Sequence, residues 1–376
     1  MGMGNTTVAT TTDRTAIFHN PAGLGLLKDK IDISIAPLGV SLGGPIRDII
    51  NSIISYGSDL GDFDRLVENG FLDTLASYDG DYLLMEYIPQ VTIAKRNLGF
   101  GYYSTFPVVV RPETGHLIPK MVLSGQRDIV FTWAVGIPLK KENHHFGVSV
   151  EYLQRVPADE EVSKFTDMLI MIDEMGENTA RSFGFIGDYA AIQHGASFDI
   201  GFMHDWSGFR LAWDVKDIFG VVGGDLVFPW QIDIGCAYFF PQLDQVAAIR
   251  NMIVAMEIKD LLKFEEKTGK YEHFLKKLHL GAEIDFNYVA IRGGISQGYP
   301  TVGGGLSLGF VNLDYAYFTR EMGFFPGQEP RSKHVASLSF DIRVSDPDWT
   351  RAGASADGAE ERESAGIETE AQPAEQ

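Results

Sequence analysis

The chain has almost no cysteine, no long apolar run and no surplus of basic residues, and each absence removes a class of protein. Cys236 is the single cysteine among 376 residues, so no intramolecular disulfide supports the fold. No stretch of about 18 consecutive apolar residues occurs, which excludes a membrane-spanning helix. The formal charge is −20, a balance that repels nucleic acid. Residues 1–30 lack a charged segment followed by an apolar one, so no export signal is visible there. No H-E-x-x-H, nucleophile elbow or Cys/His ligand set is present, and neither an enzyme nor a bound metal or cofactor is expected.

What is present is alternation. Leu338, Phe340, Ile342 and Val344 alternate with Ser339, Asp341 and Arg343. Phe209, Leu211, Trp213 and Val215 alternate with Arg210, Ala212, Asp214 and Lys216, and Ile232, Ile234, Cys236 and Tyr238 with Asp233, Gly235 and Ala237. A period of two over many short segments is the signature of half-buried strands. Fourteen such segments are expected, near 31–38, 87–97, 98–110, 121–139, 144–155, 190–204, 206–216, 229–240, 250–261, 276–286, 288–297, 301–310, 312–321 and 334–344.

The connections sort by length. After most even-numbered segments only a few residues intervene, such as Lys95-Arg96-Asn97 and Asp205-Trp206-Ser207-Gly208; after most odd ones the loops are long. Membrane barrels have short periplasmic turns and long external loops, whereas a soluble sandwich has no reason to sort them. The expectation is therefore all-β: a transmembrane antiparallel β-barrel of about fourteen strands in a bacterial outer membrane, with membrane lipid around it. With the apolar set facing lipid, the polar set, including Glu151, Asp199, Asp214, Lys216, Asp233, Glu257, Lys259, Arg292 and Asp341, faces the lumen, where mixed signs can pair.

Two long loops carry helical stripes, over about 39–86 and 156–189. Ile46, Ile49, Ile50, Ile53 and Ile54 repeat at helical spacing after Pro45, and Phe165, Met168, Leu169, Ile172 and Met175 do so in the second loop. These faces fit two roles: packing on the barrel rim, or gathering a hydrophobic ligand to which flexible side chains adapt. For the second, Ile49, Ile53, Phe165, Met168, Leu169 and Ile172 are the candidate contacts. Two further features carry no catalytic reading. Trp213-Asp214-Val215-Lys216-Asp217-Ile218 echoes Met256-Glu257-Ile258-Lys259-Asp260-Leu261, as two similar strand ends would, with Asp217 and Asp260 at the outer rim. His144 and His145 are adjacent, hence on opposite faces of a strand, which suits no shared metal. Residues 345–376 hold nine acids against Arg351 and Arg362 and few apolar side chains, so they read as a disordered acidic tail.

Residues 1–30 are rich in small and turn-forming residues: Gly2, Gly4 and Asn5, then Asp13-Arg14-Thr15-Ala16-Ile17-Phe18-His19-Asn20-Pro21-Ala22-Gly23-Leu24. This opening, ahead of the first strand, resembles the FadL-type outer-membrane transporters and the related PorV-like and conjugal-transfer-TraF-like barrels. The matching positions are Asp13, Ala16, Asn20, Pro21, Ala22, Gly23 and Leu24. The resemblance implies an N-terminal hatch over 1–30 that plugs a barrel over 31–344, and passage of a hydrophobic small molecule, by default a long-chain fatty acid. Passage would then need the hatch to shift or the wall to open sideways. The PorV-like alternative is a barrel for secretion or surface assembly, whose partner is a periplasmic or secreted protein. The acidic tail departs from the aromatic strand end usual in such barrels.

Overall fold

A strand that shows lipid on one side and lumen on the other needs both its edges paired, because the bilayer offers no water to its N–H and C=O groups. The computed structural model meets this by closing one antiparallel sheet on itself. It describes residues 1–27, 29–44, 51, 83–113, 120–125, 127–139, 143–156, 161–164, 192–224, 226–240, 249–262, 264–265, 270–271 and 273–345.

Fourteen staves make the wall. They are β1 (Asp29–Gly43), β2 (Leu83–Tyr87 with Gln90–Lys95), β3 (Leu98–Glu113), β4 (Lys120–Gly125 with Arg127–Pro138) and β5 (His144–Val156 with Glu161–Lys164). Next come β6 (Gln193–Trp206), β7 (Phe209–Val222), β8 (Leu226–Val227 with Gln231–Phe239), β9 (Ile249–Ile258) and β10 (Leu278–Phe286). The last are β11 (Val289–Ser296), β12 (Tyr299–Leu308), β13 (Val311–Glu321) and β14 (Pro330–Ser345). Each pairs with the next, and β14 closes on β1 from Asp29–Ser345 to Gly43–Lys333. All fourteen alternating segments of the sequence are staves.

The polarity of the wall is inverted relative to a soluble protein. On β7, Trp213 is 37% exposed while the next residue, Asp214, is fully buried; on β9, Met256 is 45% exposed and Glu257 1%. Apolar side chains therefore face outward and charged ones inward, the arrangement that lipid imposes. Aromatic residues gather near both ends of the staves. Trp206 stacks on Phe209 and Phe310 on Phe340 at the short-turn end, while Phe219 meets Trp230 edge-on at the other.

Local chemistry fixes the turns. Ser207–Gly208 and Gln297–Gly298 are two-residue turns with both residues at positive φ, the twist that suits adjacent strands. Pro37 and Pro89 have no N–H to give. There β1 bulges between Ile35 and Leu38, β2 breaks between Tyr87 and Gln90, and the Ile88 N–H donates instead to Gly39 O at 2.7 Å. The Glu321 carboxylate organises the 322–329 loop by accepting from the N–H groups of Gly323, Gly327 and Glu329, each at 2.7 Å.

Several boundaries differ from the sequence reading. β1 runs on to Gly43 and β2 starts at Leu83, so the first loop is 44–82. β7 continues past Asp217 to Val222, so Asp217 does not end its strand as Asp260 does. It sits at a bulge, with φ 58°, and a second positive φ follows at Phe219. The loop helices, with Ile49, Ile53, Phe165, Met168, Leu169 and Ile172, and the tail over 346–376 lie outside the described residues.

The inverted wall makes a quantitative expectation. Val254 faces lipid halfway along β9, so Val254→Arg is expected to destabilise the barrel by about 2–4 kcal/mol. Reversible urea unfolding in lipid vesicles measures this; an unchanged midpoint would contradict the outward assignment.

Candidate functional site

The interior is occupied by the N-terminal segment, residues 1–27. Two short 3-10 turns shape it. Asp13 caps the first, Arg14–Ile17, its carboxylate accepting from the Thr15 N–H at 2.9 Å. Asn20 caps the second, Pro21–Leu26, accepting from the Ala22 N–H at 3.1 Å, with Pro21 at the position where a missing N–H costs nothing. Ala16, Asn20, Pro21, Ala22, Gly23 and Leu24 are all buried.

The segment has no sheet to satisfy its backbone, so the wall supplies partners. Asn20 Nδ2 donates to Val8 O at 3.1 Å and to Phe202 O at 3.3 Å, tying one half of the segment to the other and to β6. Glu257 accepts from the N–H groups of Thr7 (2.5 Å) and Val8 (2.9 Å), and Arg210 donates to Ala9 O at 3.2 Å. Thr301 accepts from the Gly4 N–H at 3.0 Å, and His279 Nδ1 donates to Gly4 O at 2.9 Å. Arg14 reaches the seam where the barrel closes, lying 3.0 Å from Asp32 on β1 and 2.6 Å from Asp341 on β14.

Close approach requires a wall without side chains. Gly136, Gly147 and Gly201 stand directly opposite one another on β4, β5 and β6, beneath Pro21 and Ala22. A methyl at Gly147 would lie 2.2 Å from the Ala22 nitrogen, and one at Gly201 2.0 Å from Asn20 Oδ1. Elsewhere alanines serve. Val8, Ala9 and Ala22 pack with Met203, Ala212, Ala237, Ile253 and Ala255, while Ala16, Ile17, Leu24 and Leu27 pack with Ala94 and Ala134. Phe18 meets Tyr103 edge-on, centroids 5.3 Å apart.

The echoed sequences on β7 and β9 form matching charge ladders around the segment. Lys216 lies 3.3 Å from Asp214 and 3.8 Å from Asp233, which face each other across β7 and β8; Lys259 lies 3.1 Å from Glu257. The Asp217 N–H donates to Asp199, and the Asp260 N–H to Asp233, at 2.9 and 2.8 Å. The same local sequence thus makes the same contact to the preceding stave.

The outer wall carries an apolar groove of about 560 Å³. Leu38, Val40, Ile291, Leu306, Leu313 and Tyr315 line it, around the small residues Gly304 and Ala336. Its position on the outward face turns it toward lipid.

The structure brings all seven motif residues, Asp13, Ala16, Asn20, Pro21, Ala22, Gly23 and Leu24, into this seat. Sequence reading placed Glu257 in the lumen but did not identify it, Arg14 or the glycine row as contacts of the segment. The glycines were visible as small residues at inward parity, but only the register aligns them.

No protein-family model and no curated protein matches the chain. Among solved structures it is similar to the deltaS2S3 mutant of the TodX monoaromatic hydrocarbon channel, with a TM-score of 0.55 and 12% identity over 92% of this chain and 97% of that one. It is also similar to the toluene transporter TbuX of Ralstonia pickettii, with a TM-score of 0.50 and 12% identity over 91% and 97%. At this identity the likeness is one of fold: a closed antiparallel β-barrel.

The seat can be tested without a ligand. Arg14→Ala leaves the buried Asp32 and Asp341 carboxylates with only the longer ion-pair contacts to Arg343, at 3.7 and 3.5 Å, and is expected to weaken the seat by about 1–3 kcal/mol. Asn20→Ala, which orphans buried partners, costs about 1–3 kcal/mol. Hydrogen exchange should speed up in residues 1–27 while the staves stay protected; equal protection in variant and parent would refute these anchors.

Proposed function

We propose that the barrel passes hydrophobic small molecules across the outer membrane, with residues 1–27 as a hatch. The observation that carries this reading is the seat. The N-terminal segment lies within the lumen on glycine and alanine, held by hydrogen bonds and ion pairs that can exchange partners with water. A wall meant only to be solid would fill its lumen with its own side chains, as small barrels do. The fold neighbours named as a hydrocarbon channel and a toluene transporter support the same reading at the level of hydrophobic cargo. Long-chain fatty acids are the cargo that the FadL resemblance implies, and monoaromatic hydrocarbons are the class those neighbours carry.

A PorV-like barrel for secretion or surface assembly is the competing reading. The observation in its favour is the number of polar anchors, since a permanent seal needs them all. Uptake decides between the two. Cells lacking their own transporter and expressing this chain are expected to take up labelled oleate or toluene at several times the control rate. Uptake of neither, together with a co-purifying secreted protein, would leave the assembly reading standing instead.

The hatch has its own test. A methyl carbon built at Gly235 lies 3.6 Å from Ala9 Cβ, within the spacing a disulfide spans. In a Cys236→Ser background, Ala9→Cys with Gly235→Cys is expected to retain uptake when oxidised, because the Asp13–His19 sector can move while the middle of the segment stays seated; loss of uptake that reduction restores would overturn this. Full uptake in the oxidised state would show that cargo passes without displacing this part of the segment.

A further inference from the structure

Near the short-turn end, His144 on β5 and His204 on β6 stand directly opposite in register, on the lipid-facing side. Their ring centroids are 4.0 Å apart and their Nδ1 atoms 2.6 Å apart. The neighbouring His145 points the other way, toward Gly25 of the N-terminal segment. Trp206 packs edge-on against His204, and Phe202 lies beside His144, so aromatic rings fix both imidazoles. His204 is buried, and its Nε2 has no hydrogen-bond partner.

Two neutral imidazoles in this contact must hold opposite tautomers, one Nδ1 donating and the other accepting. A metal ion would replace that hydrogen bond, taking both Nδ1 lone pairs and leaving both protons on Nε2. At a metal–nitrogen distance of about 2.0–2.1 Å, two cis ligands at a right angle sit about 2.9 Å apart and two tetrahedral ligands about 3.3 Å. The observed 2.6 Å is nearer the right-angled value. Imidazole in tetragonal geometry suits Cu(II), which also heads the affinity order of the divalent first-row ions.

We propose that His144 and His204 form a two-imidazole site for Cu(II), with water in the remaining positions. No group of three His, Cys, Asp or Glu side chains arranged for a metal occurs among the described residues, so the pair acts without a third protein ligand. The site does not depend on what the barrel transports.

The test uses the untagged full-length chain in a non-coordinating buffer and mild detergent, titrated with Cu(II) and followed by electron paramagnetic resonance. One Cu(II) per chain with splitting from two nitrogens is expected. His144→Ala and His204→Ala should each weaken binding by at least about tenfold, while His145→Ala leaves it unchanged. Heat-modifiable migration in gels checks that every variant is a folded barrel. No bound Cu(II), equal binding by the double variant, or tighter binding of Zn(II) than of Cu(II) would each overturn the assignment.

Discussion

Everything in this molecule follows from one constraint: inside a bilayer an unpaired peptide group has nowhere to go. The seam between β14 and β1 meets it, by pairing the first stave with the last along nearly its whole length. Closure fixes an even count of staves, because antiparallel neighbours must alternate direction all the way round. It also forces the polarity of the wall. Once the outward positions are apolar, the charged residues of the same strands are committed to the lumen, and there they must find each other. Asp214, Asp233 and Lys216 do so across β7 and β8, and Glu257 and Lys259 along β9.

The N-terminal segment inherits the problem in a second form. Its irregular backbone closes short turns on itself, and the peptide groups left over are received by the wall, the Leu24 carbonyl by the Asn97 N–H and most others by side chains. Glu257, Arg210, Thr301 and His279 receive them from the wall side, and Asn20 from within. The same closeness that makes these bonds forbids bulk beneath the turn at Pro21. The glycine row at 136, 147 and 201 is therefore not a weakness of β4, β5 and β6 but the space the turn occupies. Lumen charges and lumen glycines are two halves of one device.

Much of this was legible in the sequence, because alternation and loop length are local properties. Leu211 to Lys216 reveals its two faces within six residues, and the short turns after even staves state the topology without any distant contact. The caps at Asp13 and Asn20 are local as well. What the sequence hid is whatever depends on register. Arg14 meets Asp341 from 327 positions away, and His144 meets His204 across 60. Asp217 looked like a strand end because its echo at Asp260 is one; only the longer pairing of β7 with β6 carries the chain past the bulge. The helical stripes at Ile49 and Phe165 make their pattern without revealing what they pack against.

The distribution of anchors also constrains how the segment can move. Its start is held on β10 and β12, its middle on β7 and β9, and its second turn on β4 to β6. Lifting the whole segment would break all of these at once, and buried polar groups left unpaired cost about 1–3 kcal/mol each. The stretch from Asp13 to His19 is different. It is tied to the wall by the Arg14 pairs at the seam, by ring contact between Phe18 and Tyr103 and by the packing of Ala16 and Ile17 on Ala94 and Ala134, and its cap at Asp13 is internal. Arg14 is also the anchor whose partners are charged and whose guanidinium keeps its own charge in water. A swing of this sector therefore trades two ion pairs for hydration and uncovers Ile17 and Phe18, while the Asn20 turn stays on its glycines. Displacement of one sector, beside the seam that closes the barrel, costs less than ejection of the segment.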